Sequence, residues 1–196
     1  MYSDIGQGEV GDCYFLCALT SLCEFPEKIT KFFNSTKIHY TGAIEVRLYI
    51  HGIPTSFIVD DFVPFETIDN DGDPNTEDKL ILSFAQRNEI TKNLWAIVLE
   101  KAWAKLNLSY SNIGKGCVNE AFEILFPSPV VSFDHEICDR EEIWRRTLYA
   151  DNNHYLIATD ISSEGAGGAP KSLAYRILLQ KYNLVINHAY AVINVR

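Results

Sequence analysis

Gln7-Gly8-Glu9-Val10-Gly11-Asp12-Cys13 sets a cysteine where a glycine-containing turn gives way to the apolar run Tyr14-Phe15-Leu16-Cys17-Ala18-Leu19. A thiol at the start of a helix faces the positive end of the aligned peptide dipoles and the unpaired N–H groups of the first turn, and both favour the thiolate. That is the chemistry of a nucleophile. Gly8 and Gly11 permit tight turning and close approach of a second backbone, as a substrate strand requires. Gln7 can aim a side-chain N–H at the oxygen of a carbonyl under attack, and the backbone N–H of Cys13 can supply the second donor of an oxyanion hole.

A thiolate nucleophile needs a base, which in cysteine hydrolases with an early nucleophile stands far along the chain. Of the five histidines, His39 and His51 lie in strand-like runs near the start, His135 stands among acids, and His154 follows the polar Asp151-Asn152-Asn153. His188 differs, because it stands late in the apolar run Leu184-Val185-Ile186-Asn187-His188-Ala189-Tyr190-Ala191-Val192-Ile193. On its own it reads as a satisfied strand histidine, and Cys13 on its own as a small buried hydrophobe. Their order and contexts together favour a catalytic pair.

Four ordered blocks extend this reading. Gln7-Gly-x-x-Gly-Asp-Cys13 is followed by Leu99-Glu100-Lys101-Ala102-Trp103-Ala104-Lys105-Leu106-Asn107-Leu108-Ser109-Tyr110, then by Asn119-Glu120-Ala121-Phe122-Glu123, then by His188-Ala189-Tyr190-Ala191-Val192. In order and approximate spacing they resemble the protease core of the calpains. The resemblance implies Cys13 as nucleophile, His188 as general base and acid, and Gln7 as oxyanion donor. Gly116, in Ile113-Gly114-Lys115-Gly116, matches a family glycine whose backbone pairs with an extended peptide substrate.

The departures are also specific. The family asparagine that orients the histidine, followed by Pro-Trp, falls by resemblance beyond Arg196, and little chain precedes Cys13, so the sequence reads as truncated. Asn194 is too near His188 to take that role. Calpain cores bind Ca2+ in each half, and the resemblance places Asp4 at the first site. Asn93 stands there in place of a glutamate, which removes a bidentate carboxylate and a charge from a cation that prefers anionic oxygen. Calcium is therefore implied by the resemblance and weakened at its first site. No organic cofactor is implied. Asn187 stands where the family usually has glycine, and its Cβ is expected to crowd a substrate strand.

Composition bounds the rest. The chain has 196 residues, is 47% hydrophobic, and can bury a sizeable core. A net charge of −9 argues against nucleic acid, whose phosphates call for a Lys/Arg surplus. No apolar run reaches membrane-spanning length. Cys13, Cys17, Cys23, Cys117 and Cys138 form an odd set without CxxC pairs, which suits free thiols in a reducing, cytoplasmic compartment. Cys17 and Cys23 read as core. The acidic stretch from Asp69 to Asp78 resembles a calcium loop in composition but fails the EF-hand pattern, since its twelfth position is Leu80, and it reads as a solvated loop.

The elements that must position the pair follow from spacing. Asp12 is placed to cap a helix from about Cys13 to Cys23, with Phe15, Leu16, Leu19 and Leu22 at helical intervals. Pro26 opens a short helix through Phe33. Residues 44–50 and 55–60 read as a hairpin around His51-Gly52-Ile53-Pro54, and 80–84 as a strand. Leu94 to Leu106 is an amphipathic helix on which Glu100 and Lys101 read as surface or core-edge contacts and Trp103 packs. After Pro127 and Pro129, residues 141–150 read as a helix, and 155–161 and 185–195 as strands.

The expected fold is α+β and papain-like, with a helical N-terminal lobe over residues 1–126, a β-rich, partial second lobe over 127–196, and a cleft between Cys13 and His188. The expected function is calpain-like cysteine endopeptidase activity on protein substrates, with regulatory domains outside this chain. A catalytically dead calpain-like binding or scaffold module is the alternative, motivated by Asn93, Asn187 and the truncation. Acyl transfer to amines by a transglutaminase-like enzyme is a third reading, which the Gln7 and Glu100 blocks fit less well.

Overall fold

The computed structural model of the chain describes residues 5–35, 37, 39–68, 79–83, 85–87, 93–164 and 172–196. Its centre is α1 (Cys13–Leu22), a helix apolar on nearly every side, of which Tyr14, Phe15, Leu16, Cys17, Ala18, Leu19 and Leu22 are all buried. A helix hydrophobic all round must be enclosed by other elements, and this one packs on α3, α4, β7 and β8.

Before α1, the two-residue strand β1 (Ile5–Gly6) pairs antiparallel with β6 (Gln86–Arg87). After it come the short α2 (Pro26–Ile29) and a 3-10 turn, Thr30–Phe32, so the helix expected through Phe33 tightens after one turn. The hairpin of β2 (Ile44–Ile50) and β3 (Ile53–Val59) pairs Ile44 with Val59 and Ile50 with Ile53. Its connection is therefore only His51-Gly52, and both residues have positive φ, +50° and +77°. That is the sign pattern of the primed turns whose twist matches paired strands. Pro54, expected in the loop, sits in β3 opposite Tyr49.

The strands β4 (Phe65–Ile68) and β5 (Lys79–Leu82) pair antiparallel. The helix α3 (Trp95–Leu106) follows, buries Ala96, Ile97, Leu99, Ala102 and Trp103, and stacks Trp103 on Phe15 of α1 at 5.5 Å and 7°. A 3-10 turn, Tyr110–Ile113, leads to α4 (Val118–Leu125), where Glu120 accepts from the Cys117 N–H at its start. Next is α5 (Arg140–Asn152), capped by the Asp139 carboxylate on the N–H groups of Glu141 and Glu142. The strands β7 (Ile157–Ile161) and β8 (His188–Val192) pair antiparallel, with α6 (Leu173–Lys181) between them in sequence.

The mixture of helix and strand agrees with an α+β chain. The expected partition into a helical first part and a β-rich second part is not what the described residues show, since β1 to β6 all precede Pro127 and only β7 and β8 follow it. The hairpin expected at 44–60 and the strand expected at 80–84 already fall in the first part, and α5 and α6 give the second part more helix than strand. Asp12 also departs from expectation, because its side chain makes no capping hydrogen bond and its φ and ψ, −94° and 29°, are not those of an extended cap. Its carboxyl turns into the core instead.

Candidate active site

Cys13 is the first residue of α1 and half-buried, and the carbonyl of Asp12 behind it accepts from the N–H groups of Phe15 and Leu16. The turn that delivers it is pressed against another segment. A Cβ on Gly11 would lie 2.6 Å from the carbonyl oxygen of Gly114, so only glycine fits. Gln7 donates its side-chain N–H to the carbonyl of Val10 at 2.9 Å, which folds the Gln7 amide over the turn.

His188 opens β8, where the register sets it opposite Ile161 and Tyr190 opposite Thr159. Because α1 packs directly on β8, the beginning and the end of the chain meet. Gln7, Cys13, Leu16, Cys17, His188 and Tyr190 line one cavity of about 330 Å³. His39, His51, His135 and His154 do not line it. Gly116 does not line it either. It backs onto the site through Tyr14, since a Cβ there would fall 2.4 Å from the Tyr14 ring, whose hydroxyl accepts from the Trp103 indole N–H at 3.0 Å.

Asn187 takes a left-handed conformation at φ +55°, one that Asn tolerates better than most residues. Its side-chain oxygen accepts from the Ser163 N–H at 2.9 Å, and its own N–H donates to the Ile161 carbonyl at 2.5 Å. The side chain expected to crowd a substrate strand is thus tied back to the chain that follows β7. Cys17, one turn beyond Cys13, is 5% exposed, and burial, with Cys13 nearby, pushes its thiol up to about 12. Of the two sulfurs lining the cavity, Cys17 is therefore the inert thiol.

Below the nucleophile lies a pair of carboxyls that sequence reasoning missed. Glu100 is fully buried, not at the core edge, and both of its oxygens face the Ala85 N–H at 3.0 and 3.1 Å. Asp12 is 1% exposed, and neither of its oxygens meets an N–H or hydroxyl donor among the described residues. A hydrogen bond between the two carboxyls, with the proton on Glu100, gives the buried pair a partner in each other. Burial, and then the charge of Asp12, pushes Glu100 up to about 9, while burial pushes Asp12 up to about 6 against the opposing hydrogen bond from Glu100. The signal was present in the sequence, for Glu100 stands four residues after Ala96 and three before Trp103, on the buried face of α3.

The metal expectation finds no support in the described side chains. No group of three or more His, Cys, Asp or Glu among them is placed to hold an ion. Asn93 is exposed and carries no charge, and Asp4 and the acidic stretch 69–78 lie outside the described residues. No helix among the described residues is long and apolar enough to cross a membrane.

What this arrangement offers is a thiol at a helix start, an imidazole across the same cavity and an amide beside both, the parts of a cysteine hydrolase. Comparison with known proteins agrees. The model of the calpain family cysteine proteases matches residues 1–196. The maize protein "Calpain-type cysteine protease DEK1" is 30% identical over 203 residues, covering 99% of this chain and 8% of its own length. The rat calpain-1 catalytic subunit is 35% identical over 125 residues, covering 62% of this chain and 16% of its own. Rat calpain-13 is 28% identical over 195 residues, 96% of this chain and 25% of its own length. This chain thus spans a quarter or less of the curated relatives it matches. With the family model running its full length, the chain belongs to the calpain family of cysteine proteases.

Proposed function

We propose that the chain is a calpain-like cysteine endopeptidase core acting on extended segments of protein substrates. The observation that carries this reading is the convergence of Gln7, Cys13 and His188 on one cavity from opposite ends of the sequence. The Cys13 thiolate attacks the scissile carbonyl, and the Cys13 N–H and a Gln7 side-chain N–H receive the developing oxyanion. His188 protonates the leaving amine, then takes a proton from the water that releases the acyl-enzyme. Gly116 is assigned to the substrate backbone by family resemblance. Residues 1–126 and 127–196 are proposed as the two lobes, with the cavity as the cleft between them. Regulatory domains outside this chain select the substrates, and five free thiols support a reducing, cytoplasmic setting.

The test is hydrolysis of an unstructured protein by the chain and its Cys13→Ala variant, each with Ca2+ and with chelator. Cleavage that disappears in Cys13→Ala is expected. Cleavage surviving that substitution would overturn Cys13 as the nucleophile, and a chain that binds the unstructured protein yet cleaves none of it in any condition would favour the binding module. Calcium enters as a dependence to be measured, with Asp4 assigned to the first site by resemblance and Asn93 as its weak partner.

A further inference from the structure

We propose that Tyr190 is a positioning residue for His188, holding the imidazole toward Cys13 through a ring contact that is itself anchored to the β8 turn. The inference rests on the assignment of His188 as the base. On a strand, residues two apart share a face, so His188 and Tyr190 stand side by side at the mouth of β8. Their rings meet edge to face, with centroids 5.0 Å apart and planes at 85°, within the geometry that aromatic pairs favour. Among the described residues, no side chain is hydrogen-bonded to the His188 ring, so this contact limits its rotation.

The Tyr190 ring is fixed in turn. Its hydroxyl accepts from the Val185 N–H at 2.7 Å, reaching back across the turn that leads into β8. From the other side, Asn187, the residue just before His188, is pinned to the end of β7 and the chain beyond it, donating its N–H to the Ile161 carbonyl and accepting from the Ser163 N–H. Backbone and ring of the base are thus restrained by two separate attachments, one to the chain at the end of β7 and one to the turn that leads into β8. A cysteine hydrolase needs its base held in orientation, and Tyr190 adds a packing constraint to that orientation beside the asparagine the resemblance implies.

Alkylation of Cys13 by iodoacetamide, followed by mass spectrometry across a range of pH, reads the thiolate–imidazolium pair without requiring turnover. Cys117 and Cys138, in the same samples, control for reagent and fold. If the pair is formed, Cys13 of the wild-type chain is expected to alkylate faster on the acid side than Cys13 of His188→Ala. Tyr190→Leu is expected to lower that acid-side reactivity by about 2- to 12-fold, the range an aromatic pair spans. Tyr190→Phe keeps the ring, loses the Val185 anchor, and is expected to show a smaller loss in the same direction. If both variants keep the wild-type profile while His188→Ala changes it, Tyr190 merely packs and the inference is overturned. If Tyr190→Leu does not fold, a wild-type profile in Tyr190→Phe overturns the anchoring. Should His188→Ala itself leave the profile unchanged, the assignment of the base falls and the inference with it.

Discussion

At Asp12 and Glu100, two acids occupy the space beneath a nucleophile where an apolar pair would pack at lower electrostatic cost. Their burial gives the chain a pH signature with a definite sign. Glu100 binds its proton more tightly in the fold, at about 9, than at the ordinary value of 4.5. Its contribution to stability is therefore fully present below the ordinary value and is lost as pH rises through about 9. Asp12 has the same sign over a lower window, from 3.8 to about 6. Above about 6 the decline belongs to Glu100. We expect the melting temperature of the wild-type chain to fall progressively between about pH 6 and 9 and that of Glu100→Gln to be nearly flat there, since the amide can still accept from Ala85 and donate to Asp12 without a titrating proton. A slope in Glu100→Gln equal to that of the wild type would show that the decline arises elsewhere.

Between elements, the site depends on how closely the turn before α1 approaches the loop 114–116. Gly11 lies against the Gly114 carbonyl and Gly116 against the hydroxyl end of the Tyr14 ring, where the Trp103 indole N–H donates to the same hydroxyl. Tyr14 cannot yield without breaking that bond. Gly116→Ala is accordingly expected to cost about 1–3 kcal/mol, the usual range for overpacking, and to slow Cys13 alkylation by displacing the residue beside it. Unchanged urea unfolding in Gly116→Ala would mean that the ring moves freely. These approaches also explain what was legible. The helices α1, α3 and α5 stood out because their apolar spacing or capping residue is local. Cys13, His188 and Gln7 stood out by residue type and context. The short α4 begins at Cys117, an atypical cap, and the two-residue β1 and β6 have no pattern of their own. The Asp12–Glu100 pair was hidden because it forms through space between the turn before α1 and the helix α3, and the Tyr190 anchor because its hydroxyl meets the Val185 N–H only once the turn into β8 is folded.

For the molecule as a whole, the cavity exists only while α1 stays enclosed, since Cys13 comes from one end of the chain and His188 from the other. The same helix carries two reporters of that enclosure, Cys17 at 5% exposure, with Cys23 just beyond its end at 4%. Leu19, fully buried between them, belongs to the core and does not line the cavity. Leu19→Ala removes a packed side chain at a site lined on every side, and the expected cost is about 2–5 kcal/mol. If α1 opens only when the whole fold does, thiol labelling of Cys17 and Cys23 should accelerate by one common factor in Leu19→Ala, matching the loss read from urea unfolding. Labelling of Cys17 that rises while Cys23 stays protected would reveal a separate opening of the α1–β8 contact. In that case the cavity could form and dissolve without global unfolding, and the meeting of Cys13 with His188 would be set by that local equilibrium.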